Sequence, residues 1–221
     1  MLVTLFRHGQ SEHNAGLSLS LDSKLTSLGE QQASATARRL ESEGLTAQNA
    51  TAFVSPLVRT LQTIEPTVLG LHLHAEVFAD VCEYFSERNE GYKTFTGLST
   101  DQIQRQFPWA TLGAHIGLGN CWWPQKQEDD QQLYDRLSRV RDQLIDTYFD
   151  SGLQLVIVSH ADPIGRMIES FLRIPPNMDG PPWSGNCAVT RLDVHSRDKS
   201  AEVILLNDQS HLTALSLASP R

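Results

Sequence analysis

The chain is short of the residues and runs that hold small secreted or membrane-bound proteins together. Its 221 residues include three cysteines, Cys82, Cys121 and Cys187, odd in number, far apart and without a CxxC pair. This argues against a disulfide framework or a zinc ribbon and fits a reducing compartment. No apolar run approaches the roughly 20 residues that cross a bilayer. The densest, Leu153 to Val158, is already interrupted by Gln154. No basic segment precedes the apolar start Met1-Leu2-Val3-Thr4-Leu5-Phe6, so a signal peptide is not expected and the cytoplasm is the expected location. Repeats, low-complexity tracts and linkers rich enough to divide domains are also missing. Positive charge is in deficit, with 18 Lys+Arg against 26 Asp+Glu and a net charge of −8. Such a chain is a poor partner for nucleic acid or anionic lipid. If it handles an anion, it must gather positive charge in one place.

What remains is ordinary globular material, 40% hydrophobic and 20% charged, long enough to bury a core as one domain over residues 1–221. Leu2 to Phe6 is nearly continuous apolar sequence, the pattern of a strand buried on both faces. Thr26-Ser27 predicts a helix start, with the helix running to about Gly44. Thr51 to Val54 predicts a second strand before Ser55-Pro56. Leu57 to Leu69 predicts a helix with Pro56 at its first position and a break at Pro66. A weak alternation over Leu71 to Val77 predicts a third strand. Asp129 to Phe149 carries Leu133, Leu137, Val140, Leu144, Ile145 and Tyr148 on one helical face. A buried strand over Leu153 to Val158, a helix over Asp162 to Leu172 and late strands over Cys187 to Val194 and Glu202 to Leu206 complete the pattern. Alternating strands and helices imply an α/β fold: a three-layer α/β/α sandwich around a mostly parallel central sheet.

In such sheets ligands sit beyond the carboxyl ends of the strands. The first strand runs into Arg7-His8-Gly9. The second runs into Ser55-Pro56, with Arg59 one turn into the next helix, and the late buried strand runs into Ser159-His160. Two guanidiniums offer planar forks of donors suited to phosphate or carboxylate. A neutral imidazole beside them is a nucleophile toward phosphorus, in a reaction that needs mostly positioning and charge stabilisation.

The segment Leu5-Phe6-Arg7-His8-Gly9-Gln10-Ser11-Glu12-His13-Asn14 resembles the signature of the histidine phosphatase superfamily, the phosphoglycerate-mutase-like group. Leu25-Thr26-Ser27-Leu28-Gly29, Val54-Ser55-Pro56-Leu57-Val58-Arg59-Thr60-Leu61-Gln62-Thr63 and Val156-Ile157-Val158-Ser159-His160 agree in order and spacing. An Arg-His-Gly tripeptide alone recurs by chance; four segments in order are specific. The resemblance implies that His8 becomes phosphorylated and that Arg7, Arg59 and His160 bind the phosphoryl group, with Asn14 adding a donor. It implies a carboxylic acid as proton donor after the third strand. Glu83, in Val81-Cys82-Glu83, takes that place, with Glu87 and Glu90 as alternatives because the following stretch is longer than in the family. It further implies a metal-independent hydrolysis of a phosphomonoester, with no cofactor, a small phosphorylated substrate and inorganic phosphate as product. A phosphoglycerate mutase is the alternative, although the family's mutases carry an Arg-His-Tyr-Gly stretch after the acid that this sequence lacks. A non-catalytic phospho-ligand module is a third reading, against which stands the presence of every candidate group.

Residues from about 83 to 127, rich in glycine and aromatics, read as an irregular insert over the active site, a lid or specificity region. Within it only Thr100 to Phe107 predicts a helix. The neighbours Trp122 and Trp123 read either as core of the insert or, since adjacent residues in an extended segment point opposite ways, as one facing core and the other substrate. His72-Leu73-His74 would put two imidazoles on one face of a strand, without the further ligand a metal needs. Glu128-Asp129-Asp130 reads as the acidic first turn of the long helix, and Asp162, where the family more often has glycine, as an acidic group at the pocket rim.

Overall fold

The computed structural model describes residues 1–84, 95–113, 122–123, 127–177, 179–195 and 198–219. Seven strands form one sheet: Leu2–Arg7 (β1), Ala50–Val54 (β2), His74–Val77 (β3), Thr111–Leu112 (β4), Gln154–Ser159 (β5), Val189–Val194 (β6) and Ala201–Asp208 (β7). Their order is β4-β3-β2-β5-β1-β6-β7. The five strands from β4 to β1 are parallel, and β6 and β7 add antiparallel pairings at one side. The helices are Ser27–Ser42 (α1), Val58–Leu71 (α2), Thr100–Gln106 (α3), Asp130–Tyr148 (α4), Ala161–Phe171 (α5) and Ser210–Thr213 (α6). Among the described residues no helix is long and apolar enough to cross a membrane.

Strand alternation divides the core into two layers. Phe6, Ala52, Val54, Val156 and Val158 face one side, where Leu40 of α1 and Leu61, Ile64 and Val68 of α2 cover them. Val3, Leu5, Phe53, Leu155 and Ile157 face the other, against Leu133, Leu137, Val140 and Leu144 of α4 and Ile164, Met167 and Phe171 of α5. Each of these side chains other than Ala52 contributes about 1.5–3 kcal/mol relative to exposure. The α/β/α sandwich expected from the sequence is the fold. Thr26 caps α1 by accepting from the Gly29 N–H at 3.1 Å, and Gly44 closes it at φ +85°. Asp129 caps α4 in a reciprocal box with Gln132.

Several local expectations are corrected. Pro66 does not break α2, which continues to Leu71. A mid-helix proline costs about 3 kcal/mol, and the burial of Ile64, Thr67 and Val68 around it offsets that cost. The extra turn removes His72 from the third strand, where it becomes the left-handed cap of α2 at φ 53°, so His72 and His74 do not share a strand face. Pro56 lies outside the helix, and the first helical N–H, that of Val58, is capped by Asp22 Oδ1 at 2.7 Å across the chain. The insert is less irregular than expected, since it contributes β4 to the sheet edge as well as α3. Cys121, Glu87 and Glu90 lie outside the described residues, whereas Cys82 and Cys187 are buried free thiols.

The acidic stretch before α4 does more than complement a helix dipole. Glu128 forms a two-pronged pair with Arg136, both contacts at 2.7 Å, and Asp130 reaches Arg166 of α5 at 2.7 Å. Arg166 is fully buried and also binds Glu169 Oε2 and the Asn177 carbonyl, each at 2.9 Å. Removing one member of such a pair strands the other charge in the core. Arg166→Met should therefore cost about 3–5 kcal/mol, read as a lower denaturant midpoint at unchanged m-value. Adding Glu169→Leu should recover most of the loss. A single-variant effect below about 1 kcal/mol, as for an exposed pair, would show that the network does not hold α4 to α5.

Candidate active site

The parallel pairing brings three strand ends to one level. Arg7 pairs with Ser159 and Val54 with Val158. The His8 N–H donates to the Ser159 carbonyl and the Ser55 N–H to the Val158 carbonyl, both at 3.0 Å. His8, His160 and Ser55 thus leave the sheet side by side. Gly9 and Gly29 let the loop after β1 lie against the start of α1. A Cβ at Gly9 would fall 2.6 Å from the Gly29 carbonyl oxygen, and one at Gly29 would fall 2.1 Å from that of Gln10. The Leu-Thr-Ser-Leu-Gly segment is there for that close approach.

The His8 ring is buried. Its Nδ1 lies 2.7 Å from the Gly9 carbonyl oxygen, which can only accept, so Nδ1 carries the proton and Nε2 keeps its lone pair. Arg59 Nε donates to that lone pair at 3.2 Å. Burial, then the Arg59 and Arg7 charges, hold His8 well below the ordinary histidine pKa, so the imidazole is neutral at pH 7. The His160 ring centroid is 5.2 Å from that of His8. It too is fully buried and held well below its ordinary pKa, by desolvation first and Arg59 second.

Arg59 is the hub. Besides His8, its guanidinium donates to the Leu21 carbonyl at 2.7 Å and to Glu83 Oε2 at 3.2 Å. Arg7 donates to the Ser184 carbonyl at 3.1 Å. Burial lowers the pKa of both arginines, yet a guanidinium stays charged. Among the described residues Arg7 Nε and His160 Nδ1 are buried without a hydrogen-bond partner. Such buried polar atoms each cost free energy unless a partner meets them.

Glu83 follows a 3₁₀ turn, Ala79–Val81, which is pinned from two sides. Ser159 Oγ donates to the Val81 carbonyl at 2.6 Å, and Arg136 donates to that of Asp80 at 2.6 Å. The carboxyl group accepts from the Tyr84 N–H at 3.0 Å and lies 3.4 Å from His160 Nδ1. Desolvation raises its pKa and outweighs the opposing pull of Arg59, with Asp162 adding a smaller raising effect. Asn14 is exposed, and its Oδ1 accepts from Asn186 Nδ2 at 3.2 Å and from the Ser11 N–H at 3.4 Å.

All six residues singled out in the sequence thus gather at one sheet edge. Sequence reasoning passed over Asn186, whose Nδ2 also donates to the His8 carbonyl at 3.0 Å. It passed over Gln32 as well, a fully buried residue whose Oε1 accepts from the Gln10 N–H at 2.8 Å. The Ser-Gly-Asn cluster before β6 signals a turn but not a contact 178 residues away. Of the two tryptophans, Trp122 is core: it donates to the Leu98 carbonyl at 2.8 Å and its ring fills the space a Cβ at Gly97 would need. Trp123 is half-buried, edge-on to Trp122 and Phe95. Among the described residues no group of three or more His, Cys, Asp and Glu is placed to hold a metal ion.

The arrangement can bind a tetrahedral anion between Arg7, Arg59 and His160 and present a neutral imidazole nitrogen to it. Known proteins resemble this chain in sequence or in fold. A curated relative from Yersinia enterocolitica, "Probable phosphoglycerate mutase GpmB", is 27% identical over 205 residues, covering 86% of this chain and 84% of its own. A mycobacterial glucosyl-3-phosphoglycerate phosphatase structure superposes with a TM-score of 0.67 at 22% identity, over 94% of this chain and 99% of that one. A phosphoserine phosphatase mutant from Entamoeba histolytica gives 0.65 at 20% identity, over 96% and 98%. At these identities the solved structures establish the fold alone. A family model, the histidine phosphatase superfamily (branch 1), matches residues 3–209, and the chain belongs to that superfamily.

Proposed function

We propose that the protein is a metal-independent phosphomonoester hydrolase that works through a phosphohistidine at His8. The observation that carries this reading is the pairing of a neutral, buried His8, its Nε2 lone pair set by the Gly9 carbonyl, with a carboxyl group whose pKa is raised. These are the protonation states that a nucleophile and a general acid need at the same pH.

In the first step the Nε2 lone pair attacks phosphorus, the ester P–O bond breaks, and Glu83 gives its proton to the leaving oxygen. In the second, water attacks phosphorus and loses a proton to the Glu83 carboxylate. The P–N bond then breaks, phosphate departs, and the lone pair returns to Nε2. Arg7, Arg59, His160 and Asn14 hold the oxygens throughout, with Arg59 Nε turning from the lone pair to a phosphoryl oxygen. We assign residues 1–221 to one domain, with the 83–127 insert shaping substrate choice. The substrate class is a small phosphorylated metabolite, and nucleic acid and membrane are not partners.

The mutase alternative has the names of the curated relatives in its favour. It shares the first step and returns the phosphoryl group to a second hydroxyl. Release of inorganic phosphate from substrate, against recovery of an isomeric phosphoester, separates the two.

His8→Ala should lower hydrolysis of p-nitrophenyl phosphate on the order of 10⁴-fold without unfolding the chain, and activity within tenfold of wild type would contradict the mechanism. Hydrolysis should persist in EDTA; loss on chelation with recovery on adding a divalent ion would contradict metal independence. Glu83→Gln should slow an alkyl phosphate by about 100-fold or more, but phosphorylation by p-nitrophenyl phosphate far less, because phenolate leaves without a proton. The wild-type advantage over Glu83→Gln in kcat/KM for the alkyl ester should also depend on pH. The acid acts only when protonated, so the advantage is present below the raised Glu83 pKa and fades as pH rises through it. The ratio cancels the substrate's own ionisation, and a pH-independent ratio would assign the acid elsewhere.

A further inference from the structure

Ser55 has no part in the steps above, yet it holds one of the groups that does. It directly follows β2, is fully buried, and its Oγ lies 2.7 Å from Nε2 of the equally buried His160. Its backbone is fixed: the N–H donates to the Val158 carbonyl, and its own carbonyl accepts from Thr60 Oγ1 at 2.7 Å.

Two arrangements fit a serine next to a neutral imidazole. The hydroxyl can donate to Nε2, leaving the ring proton on Nδ1, or Nε2 can donate to the hydroxyl, leaving a lone pair on Nδ1. Three observations select the first. Nδ1 lies 3.4 Å from Glu83 Oε2, an oxygen that already accepts from Arg59, so an N–H meets it favourably and a lone pair does not. Among the described residues Nδ1 is buried without a hydrogen-bond partner, and the group expected to meet it, a phosphoryl oxygen, accepts from an N–H but not from a lone pair. Finally, among the described residues the Ser55 hydroxyl has no other partner to receive its proton. The second arrangement would also invite Glu83 to turn its acidic proton toward Nδ1 and away from the leaving oxygen.

We propose that Ser55 is a positioning residue: by donating to His160 Nε2 it fixes the tautomer in which Nδ1–H points at the phosphoryl oxygens and leaves the Glu83 proton for the leaving group. The catalytic consequence rests on the phosphatase reading, whereas the tautomer is a property of the resting protein and is measured without turnover.

Long-range ¹H–¹⁵N correlation of ¹⁵N-histidine-labelled protein at pH 7, with His160→Asn to assign the ring, reads the tautomer directly. Wild type should show His160 protonated at Nδ1 with Nε2 as the acceptor, and protonation at Nε2 overturns the proposal. Ser55→Ala should lose the fixed Nδ1–H pattern and lower kcat/KM for an alkyl phosphate about 10- to 100-fold. Ser55→Thr, which keeps the hydroxyl, should retain the wild-type pattern. If Ser55→Ala keeps both the Nδ1–H pattern and full activity, the assignment is wrong. If wild type shows Nδ1–H but turns over no phosphomonoester, the tautomer assignment holds and the hydrolase reading fails. Should the crowded site reject threonine, the wild-type spectrum still decides the tautomer.

Discussion

The parallel register of β1, β5 and β2 sets where every site group stands. Arg7 opposite Ser159 and Val54 opposite Val158 fix three chain exits at one height. The next residue in each strand, His8, His160 and Ser55, then enters the same small volume. Slipping one strand by one residue would exchange its two sets of side chains between the core layers, spoiling the packing of both, and turn its exit residue away from the others. Burial of Val3, Leu5, Phe6, Val156 and Ile157 on both sheet faces therefore holds the geometry of the site as well as the fold.

Desolvation does the rest. It is the largest cause acting on His8, His160, Glu83, Arg7 and Arg59 alike. Withdrawal from water pushes the imidazoles toward neutrality and the carboxyl group toward its protonated form, which are opposite directions of pKa serving one reaction. Two guanidiniums prevent the same environment from rejecting an anion. In a chain of net charge −8 this is a local reversal of the overall field, built from backbone carbonyls of Leu21 and Ser184 that hold the arginines without neutralising them.

Much of this was legible in the sequence, for identifiable reasons. Strands buried on both faces are continuous apolar runs, and the residues just past them are fixed by the sheet, so His8, Arg59 and His160 could be placed before any coordinates. Glu83 followed from the resemblance and its place after a strand. Pro66 misled because local propensity yields to packing. The late antiparallel strands β6 and β7 were visible, but β4, two residues long, is not distinguishable from loop. Asn186 and Gln32 were invisible because their contacts join distant segments and depend on no periodicity. Buried charge was likewise hidden: Arg136 and Arg166 look like surface residues of amphipathic helices until α4 and α5 are packed together.

The central claim is that a phosphoryl group rests covalently on His8. Rapid acid-free quenching during turnover, followed by trypsin digestion and mass spectrometry under basic conditions, locates any phosphoryl label. Cleavage after Arg7 and Lys24 isolates residues 8–24, which contain His8 and His13. Fragmentation should place an acid-labile, base-stable phosphoryl group on His8. Label on another residue, or burst kinetics without any label, would contradict the account.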